Sequence, residues 1–250
     1  MMHAQTNLQL YRQLLTSGHT EEDLARIRAS YELARALFIG RYRASGKPFI
    51  AHLVGHASAL ARWGASIDLV AAGLLHSAYL HGGFGDGTVG PSIAKARVLR
   101  ERVGVAVHDR VERYSALRND IDLAALDELI KEEDGKELVM MILADLSDDW
   151  SDLEPHFSPQ KPFMNGLPHD RASRLSLIEL AEKVVGRVAS EDFMRMFREL
   201  DAKSIPAGLA TEREANYKAS PGVPELHRSK LRIRVGRLWN RARGRRPKSP

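Results

Sequence analysis

Apolar positions recur at intervals of three and four along almost the whole chain, and this period predicts helices throughout. Thr20 is a good N-cap, and Glu21, Glu22 and Asp23 follow it in the turn where the helix dipole favours acids. Leu24, Ile27, Tyr31, Ala34 and Phe38 then mark one helical face. Gly40 to Gly46 reads as a basic loop with Arg41 and Arg43, and Lys47 lies just beyond it. Pro48 opens the next helix, which carries Ile50, Leu53, Val54, Ala57, Leu60 and Ala61 and ends at Gly64. Ser66 caps a helix from Ile67 to about Tyr79 that is apolar nearly all round, as a central buried helix is. A glycine-rich loop, His81 to Gly90, comes next. Helical patterns resume at about 91–103, 105–118, 122–133 and 136–150, and again, after a proline-containing loop at about 154–169, at 170–188 and 190–201. No alternating strand pattern and no internal repeat is evident.

The expected architecture is all-α: a helical bundle over residues 1–202, a linker at 203–224 rich in Pro and Gly, and a basic tail at 225–250. Charge sharpens the last division. Residues 226–250 hold ten Lys/Arg and no acid, whereas the remainder holds 27 basic and 32 acidic side chains. A mildly acidic body therefore carries a strongly basic end, although the whole chain has a formal charge of +5. Leu231, Val235, Leu238, Trp239 and Ala242 fall at helical spacing among arginines, so the tail reads either as a basic amphipathic helix or as a disordered end. The helical form suits an anionic membrane surface or another polyanion, and no signature of specific nucleic acid recognition accompanies it.

Composition narrows the chemistry. With 44% hydrophobic and 28% charged residues the chain is of ordinary globular type. It has no cysteine, which excludes disulfides, a thiolate nucleophile, Cys-ligated zinc and iron–sulfur clusters, so any metal must be held by His and carboxylates. The longest apolar run, Leu138 to Ala144, is far too short to span a bilayer. The N-terminus lacks a basic region followed by an apolar one, so the expected location is the cytoplasm, with the tail able to hold the protein at a membrane periphery.

Gly85-Asp86-Gly87-Thr88-Val89-Gly90 is formally a G-x-G-x-x-G motif, but a dinucleotide site needs a preceding strand and here a helix precedes. Histidines carry more information. His52 sits on the helix after Pro48, and His76 near the end of the apolar helix. Asp145 lies within an otherwise apolar helix, where a lone carboxylate is costly to bury without a metal or a cation. Two imidazoles and one carboxylate from three helices make an open ligand set for Mn²⁺, Fe²⁺ or Zn²⁺. His56 shares a helix face with His52 and reads as a hydrogen-bonded or partly exposed residue rather than a ligand. Of the acidic run Asp145, Asp148, Asp149, Asp152 and Glu154, only Asp145 is expected to face inward, with Asp148, Asp149 and Asp152 sharing a solvated face.

Three segments resemble a known family. Arg43-Ala-Ser45-Gly46-Lys47-Pro48-Phe49-Ile50-Ala-His52 is similar to the R-x-S-G-E-P-Y-I-x-H-P segment of RelA/SpoT-type alarmone hydrolase domains, members of the HD superfamily. Ala72-Gly73-Leu74-Leu75-His76-Ser77 is similar to their A-G-L-L-H-D helix, and Leu143-Ala144-Asp145-Leu146-Ser147-Asp148-Asp149 to their L-A-D-x-x-x-N segment. The resemblance spans roughly residues 30–155 and implies an HD-like bundle with His52, His76 and Asp145 on a divalent metal. It further implies Arg43, Ser45, Lys47 and Asp149 on the substrate. The chain departs from that pattern at Ser77, which replaces the aspartate of the H-D pair, and at Leu80 and His81, which stand where a catalytic Glu-Asp pair is expected. His81 or Asp86 is left to handle the water. The His76-Ser77-Ala-Tyr79 helix end also resembles a poorly characterised HD-related bacterial family, for which no activity follows.

The leading expectation is an HD-like metal-dependent phosphohydrolase acting on a nucleotide or other small phosphorylated substrate, impaired at Ser77. The alternative is an inactive HD-derived nucleotide-binding protein. A minor alternative is a non-haem iron oxidoreductase, since two His and one carboxylate is also that ligand set.

Overall fold

Local signals decide where the helices begin. A computed structural model describes residues 3–117, 122–153, 157, 171–210 and 215–219; the basic tail at 225–250 and, apart from residue 157, the loop at 154–169 lie outside the described residues. Helix α1 (Asn7–Thr16), which periodicity alone does not single out, starts at a reciprocal capping box between Thr6 and Gln9. Helix α2 (Glu21–Phe38) starts at a second box, Thr20 with Asp23. An extended pair, Arg41–Tyr42, follows. Helix α3 (Phe49–Arg62) begins directly after Pro48, where a missing N–H leaves no bond unmade, and stops before Gly64, whose φ of +73° is strained for any other residue.

Ser66 caps α4 (Ile67–Gly73), accepting from Leu69 N, but the single helix expected to reach Tyr79 is broken. It unwinds over 74–77 and restarts as α5 (Ala78–His81). In the gap the backbone bonds shorten to three-residue steps, Leu75 N to Ala72 O at 2.9 Å and Ala78 N to Leu75 O at 2.8 Å. The Gly73 carbonyl lies 2.8 Å from the His76 Nδ1, so a side chain engages the acceptor of the interrupted turn. Among the described residues follow helices α6 (Ile93–Val103), α7 (Val105–Ala116), α8 (Leu123–Leu129), α9 (Gly135–Ser151), α10 (Arg171–Val184) and α11 (Arg187–Ala202).

Helix α3 is central: it packs along α9, α4 and α1, while the α10–α11 pair covers the other side of α9. Leu53, Val54 and Leu60 of α3, Leu69 and Val70 of α4, and Val139, Ile142 and Leu143 of α9 are buried together with Leu177 and Phe193. Each such side chain stabilises the fold by about 1.5–3 kcal/mol relative to exposure, which holds α3 and α9 face to face. Among the described residues no helix is long and apolar enough to cross a membrane.

The compact unit runs from Met1 to Tyr217, past the boundary expected at 202 and into the expected linker. Asn216 Oδ1 accepts from Ala44 N at 3.1 Å, and the Tyr217 ring stacks on Tyr42 at 5.3 Å, so part of that stretch folds back onto the body. A second unit starts at Lys218, and of it only Lys218 and Ala219 are described.

Candidate metal centre

Apolar α3 and α9 carry their polar residues on the faces they turn to each other. His52, His56, Asp145 and Asp148 are all buried there, joined by His76 from the break between α4 and α5. The three expected ligands converge. His52 Nε2 lies 3.1 Å from Asp145 Oδ1 and 3.3 Å from His76 Nε2, and His76 Nε2 lies 3.5 Å from Asp145 Oδ1. One nitrogen from each imidazole and one carboxylate oxygen thus face a common point that could hold a metal ion.

Asp145 supplies the sharpest test of fit. Its Oδ2 accepts from the Tyr114 hydroxyl at 3.1 Å, but Oδ1 is buried with no hydrogen-bond partner. A buried carboxylate oxygen left unbonded costs several kcal/mol unless a cation compensates it. Among the described residues Arg43 pairs with Asp149, and Lys47 with Asp148 and Asp152, while Asp145 lies between His52 and His76. The donor set, nitrogen and oxygen without sulfur, fits Mn²⁺, Fe²⁺ or Zn²⁺.

Asp148 corrects the sequence reading. Expected at the solvated surface, it is fully buried against α3, and its Oδ2 lies 2.8 Å from His52 Nδ1 and 2.6 Å from Lys47 Nζ. Gly55 makes the room, since a methyl on its Cα would overlap the Asp148 carboxylate. The available signal was the pair Gly55 and Asp148 on two otherwise apolar helices, which periodicity cannot bring together. Asp148 accepts the His52 Nδ1–H and so turns Nε2 toward Asp145 and His76, as carboxylates do behind metal-binding histidines.

Burial and the Arg43 guanidinium both push His52 toward its neutral form, but the Asp145 and Asp148 carboxylates outweigh them and raise its pKa to about 9. Burial would raise the Asp145 carboxyl, yet the adjacent imidazoles, His52 first, hold it well below its usual range. Arg43 Nη1 lies 3.0 Å from His52 Nε2, and its charge opposes a proton at that nitrogen. Burial lowers His56 and, with the neighbouring His56, lowers His76 further, so both rings are neutral at neutral pH.

The expected substrate residues surround this cluster and are engaged with it. Arg43 Nη2 donates to Asp149 Oδ2 at 2.7 Å. Lys47 pairs with Asp148 and, at 2.8 Å, with Asp152, so it neutralises α9 instead of standing open to phosphate. Ser45 Oγ accepts from Lys47 N at 3.3 Å, shaping the turn before α3.

The two expected water-handling residues separate. His81, at the end of α5, packs its ring 5.3 Å from Phe49, and burial together with Arg43 and His52 lowers its pKa to about 4. Asp86 lies exposed in the glycine loop, where it accepts from Thr88 N and Oγ1 and sits 3.4 Å from Lys95 Nζ. Lys95 is itself buried and donates to the Thr88 and Gly90 carbonyls, so the formal G-x-G-x-x-G is a loop clasped from within. His56, read as hydrogen-bonded, is that: its Nε2 lies 2.8 Å from Met141 O. Tyr79 is buried with its hydroxyl 2.9 Å from His108 Nε2.

A family model described as a domain of unknown function (DUF6817) matches residues 35–118. That third of the chain includes Arg43, Ser45, Lys47, His52, His56 and His76 and stops short of the carboxylates on α9. No curated protein matches the chain.

Proposed function

We propose that the chain binds one Mn²⁺, Fe²⁺ or Zn²⁺ ion through His52, His76 and Asp145 and acts as an HD-type phosphohydrolase on a nucleotide or other small phosphorylated molecule. The observation that supports this is the convergence of two Nε2 atoms on an otherwise unbonded, buried Asp145 Oδ1. An ion bound there would polarise a phosphoryl oxygen and lower the pKa of water. The chain's own residues do the rest. Asp148 orients His52, and Asp145 is held toward the centre by Tyr114. Arg43, mostly buried beside His52, trades Asp149 for an anionic substrate. His81, neutral above about pH 4, accepts a proton from the attacking water. Asp86 has no part in this scheme.

Ser77 sets the strength of the site. It follows His76 directly, contributes no charge, and leaves Asp145 as the sole anionic ligand. Together with Leu80 in place of an acid, this favours a second reading, ligand binding without turnover. Elemental analysis of protein purified without chelator, followed by phosphate and pyrophosphate release from guanosine tetraphosphate and a nucleotide panel, tests both. Stoichiometric metal with metal-dependent release is expected. Metal and nucleotide binding without release selects the second reading, and protein free of Mn, Fe and Zn that also refuses them on dialysis refutes both.

A further inference from the structure

His56 is the one member of the buried histidine cluster that the proposed chemistry leaves without a task. Its ring is completely buried in α3, with Nε2 2.8 Å from Met141 O and Nδ1 2.6 Å from His76 Nδ1. We infer that His56 is a positioning residue that fixes the His76 tautomer, so that His76 presents a bare Nε2 to the centre; this rests on the reading of His52, His76 and Asp145 as a metal site.

The chain of donors follows by elimination. A carbonyl oxygen only accepts, so the His56 Nε2 facing Met141 O carries the hydrogen. His56 Nδ1 also lies 3.2 Å from the Gly73 carbonyl, but the Met141 contact at Nε2 is shorter and Gly73 O sits closer to His76, so in the neutral ring that favours burial the one hydrogen is at Nε2 and Nδ1 is an acceptor. Two nitrogens 2.6 Å apart share one hydrogen, which therefore belongs to His76 Nδ1. The Gly73 carbonyl, 2.8 Å from the same His76 nitrogen, is a second acceptor for that hydrogen. With its proton at Nδ1, His76 has a lone pair at Nε2, the atom 3.5 Å from Asp145 Oδ1 and 3.3 Å from His52 Nε2. At His52 the Nδ1 hydrogen is held by a different group, the Asp148 carboxylate. Each ring thus keeps a hydrogen at Nδ1: one is held by a carboxylate from α9, the other by a histidine from α3 with its own backbone anchor on α9. A free imidazole would have to exchange its proton between nitrogens first. The Met141 carbonyl thereby reaches the centre through two rings, and a substitution that moves α9 near Met141 acts on His76 without touching it.

Imidazole ¹⁵N NMR of the metal-free full-length protein, with Zn²⁺ calorimetry of the same samples, tests this. His56→Asn places a carbonyl oxygen the same number of bonds from Cβ as Nδ1 and keeps an acceptor for His76; His56→Gln places its amide at the Nε2 distance, keeps the Met141 bond, and loses the acceptor. The wild type is expected to show His76 protonated at Nδ1 and bare at Nε2. His56→Asn should preserve that state and bind Zn²⁺ within about threefold of wild type. His56→Gln should mix the tautomers and lose about tenfold, the low end for a partner behind a ligating histidine because Gly73 still accepts. His76 protonated at Nε2 in the wild type overturns the inference whatever the metal does, as does a His56→Gln protein with wild-type tautomer and affinity. Wild type that shows the expected tautomer but takes up no Zn²⁺ refutes the metal reading and leaves the proton order established.

Discussion

Replacing Asp145 by asparagine keeps the shape of the side chain and its bond from Tyr114 and removes only charge, so it isolates the anionic ligand. Loss of a group behind a ligand already costs 10–100-fold in metal affinity, so loss of the single anionic ligand should cost at least about 100-fold, ~2.7 kcal/mol. Consider Zn²⁺ at 100 times the wild-type Kd. Linkage then stabilises the wild type by about 2.7 kcal/mol, whereas the variant, with its Kd now equal to the metal concentration, gains about 0.4 kcal/mol. At roughly 2–4 °C per kcal/mol for a body of this size, the wild-type melting temperature should rise by about 5–10 °C and that of the variant by about 1 °C. Scanning calorimetry on chelator-stripped protein reads both, with buried Trp63 and Trp150 offering a fluorescence check. Metal-free Asp145→Asn loses the carboxylate that the adjacent imidazoles stabilise, so the rise of each protein is read against its own metal-free melt. An equal rise in both proteins would refute the assignment and move the ion elsewhere, the His108, Asp109 and Glu112 group being the next place to look.

Other outcomes follow from the same geometry. Asp148→Asn leaves Lys47 covered with Asp152 as its remaining carboxylate, so urea titration should show a loss of about 3 kcal/mol, and a loss under 1 kcal/mol would contradict the buried pair. Ser77→Asp restores a second anion beside His76 and should tighten Zn²⁺ or Mn²⁺ binding by about tenfold or more; unchanged calorimetry would place residue 77 off the centre. His81 has a folded pKa of about 4 against 6.5 unfolded, so the unfolded chain binds its proton first as pH falls. Its contribution to stability is absent below about pH 4, grows between 4 and 6.5, and is complete above, amounting to at most about 3 kcal/mol. Denaturant titrations of wild type and His81→Gln should diverge across that window, and parallel curves would mean that the ring is solvated.

The sequence by itself determined the elements, because helix starts are local chemistry. Thr20, Ser66 and Pro48 mark their helices by what they do within one turn, and the alternation of three and four marks the buried faces. His52, His76 and Asp145 were legible for the same reason: each is a polar group on an apolar stretch whose cost of burial needs an explanation. Tertiary structure alone decided the partners. Asp148 looks like its solvated neighbours until α3 brings a glycine opposite it, Lys47 looks free until α9 supplies two carboxylates, and the helix through His76 looks continuous until His76 meets His56 of α3. These residues are up to about a hundred positions apart, and no period in the chain encodes which side chain meets which across a helix interface. The expected roles of His76 and His56 therefore divide along that line: the need for a buried imidazole is written locally, but the direction of its proton depends on a carbonyl from another helix.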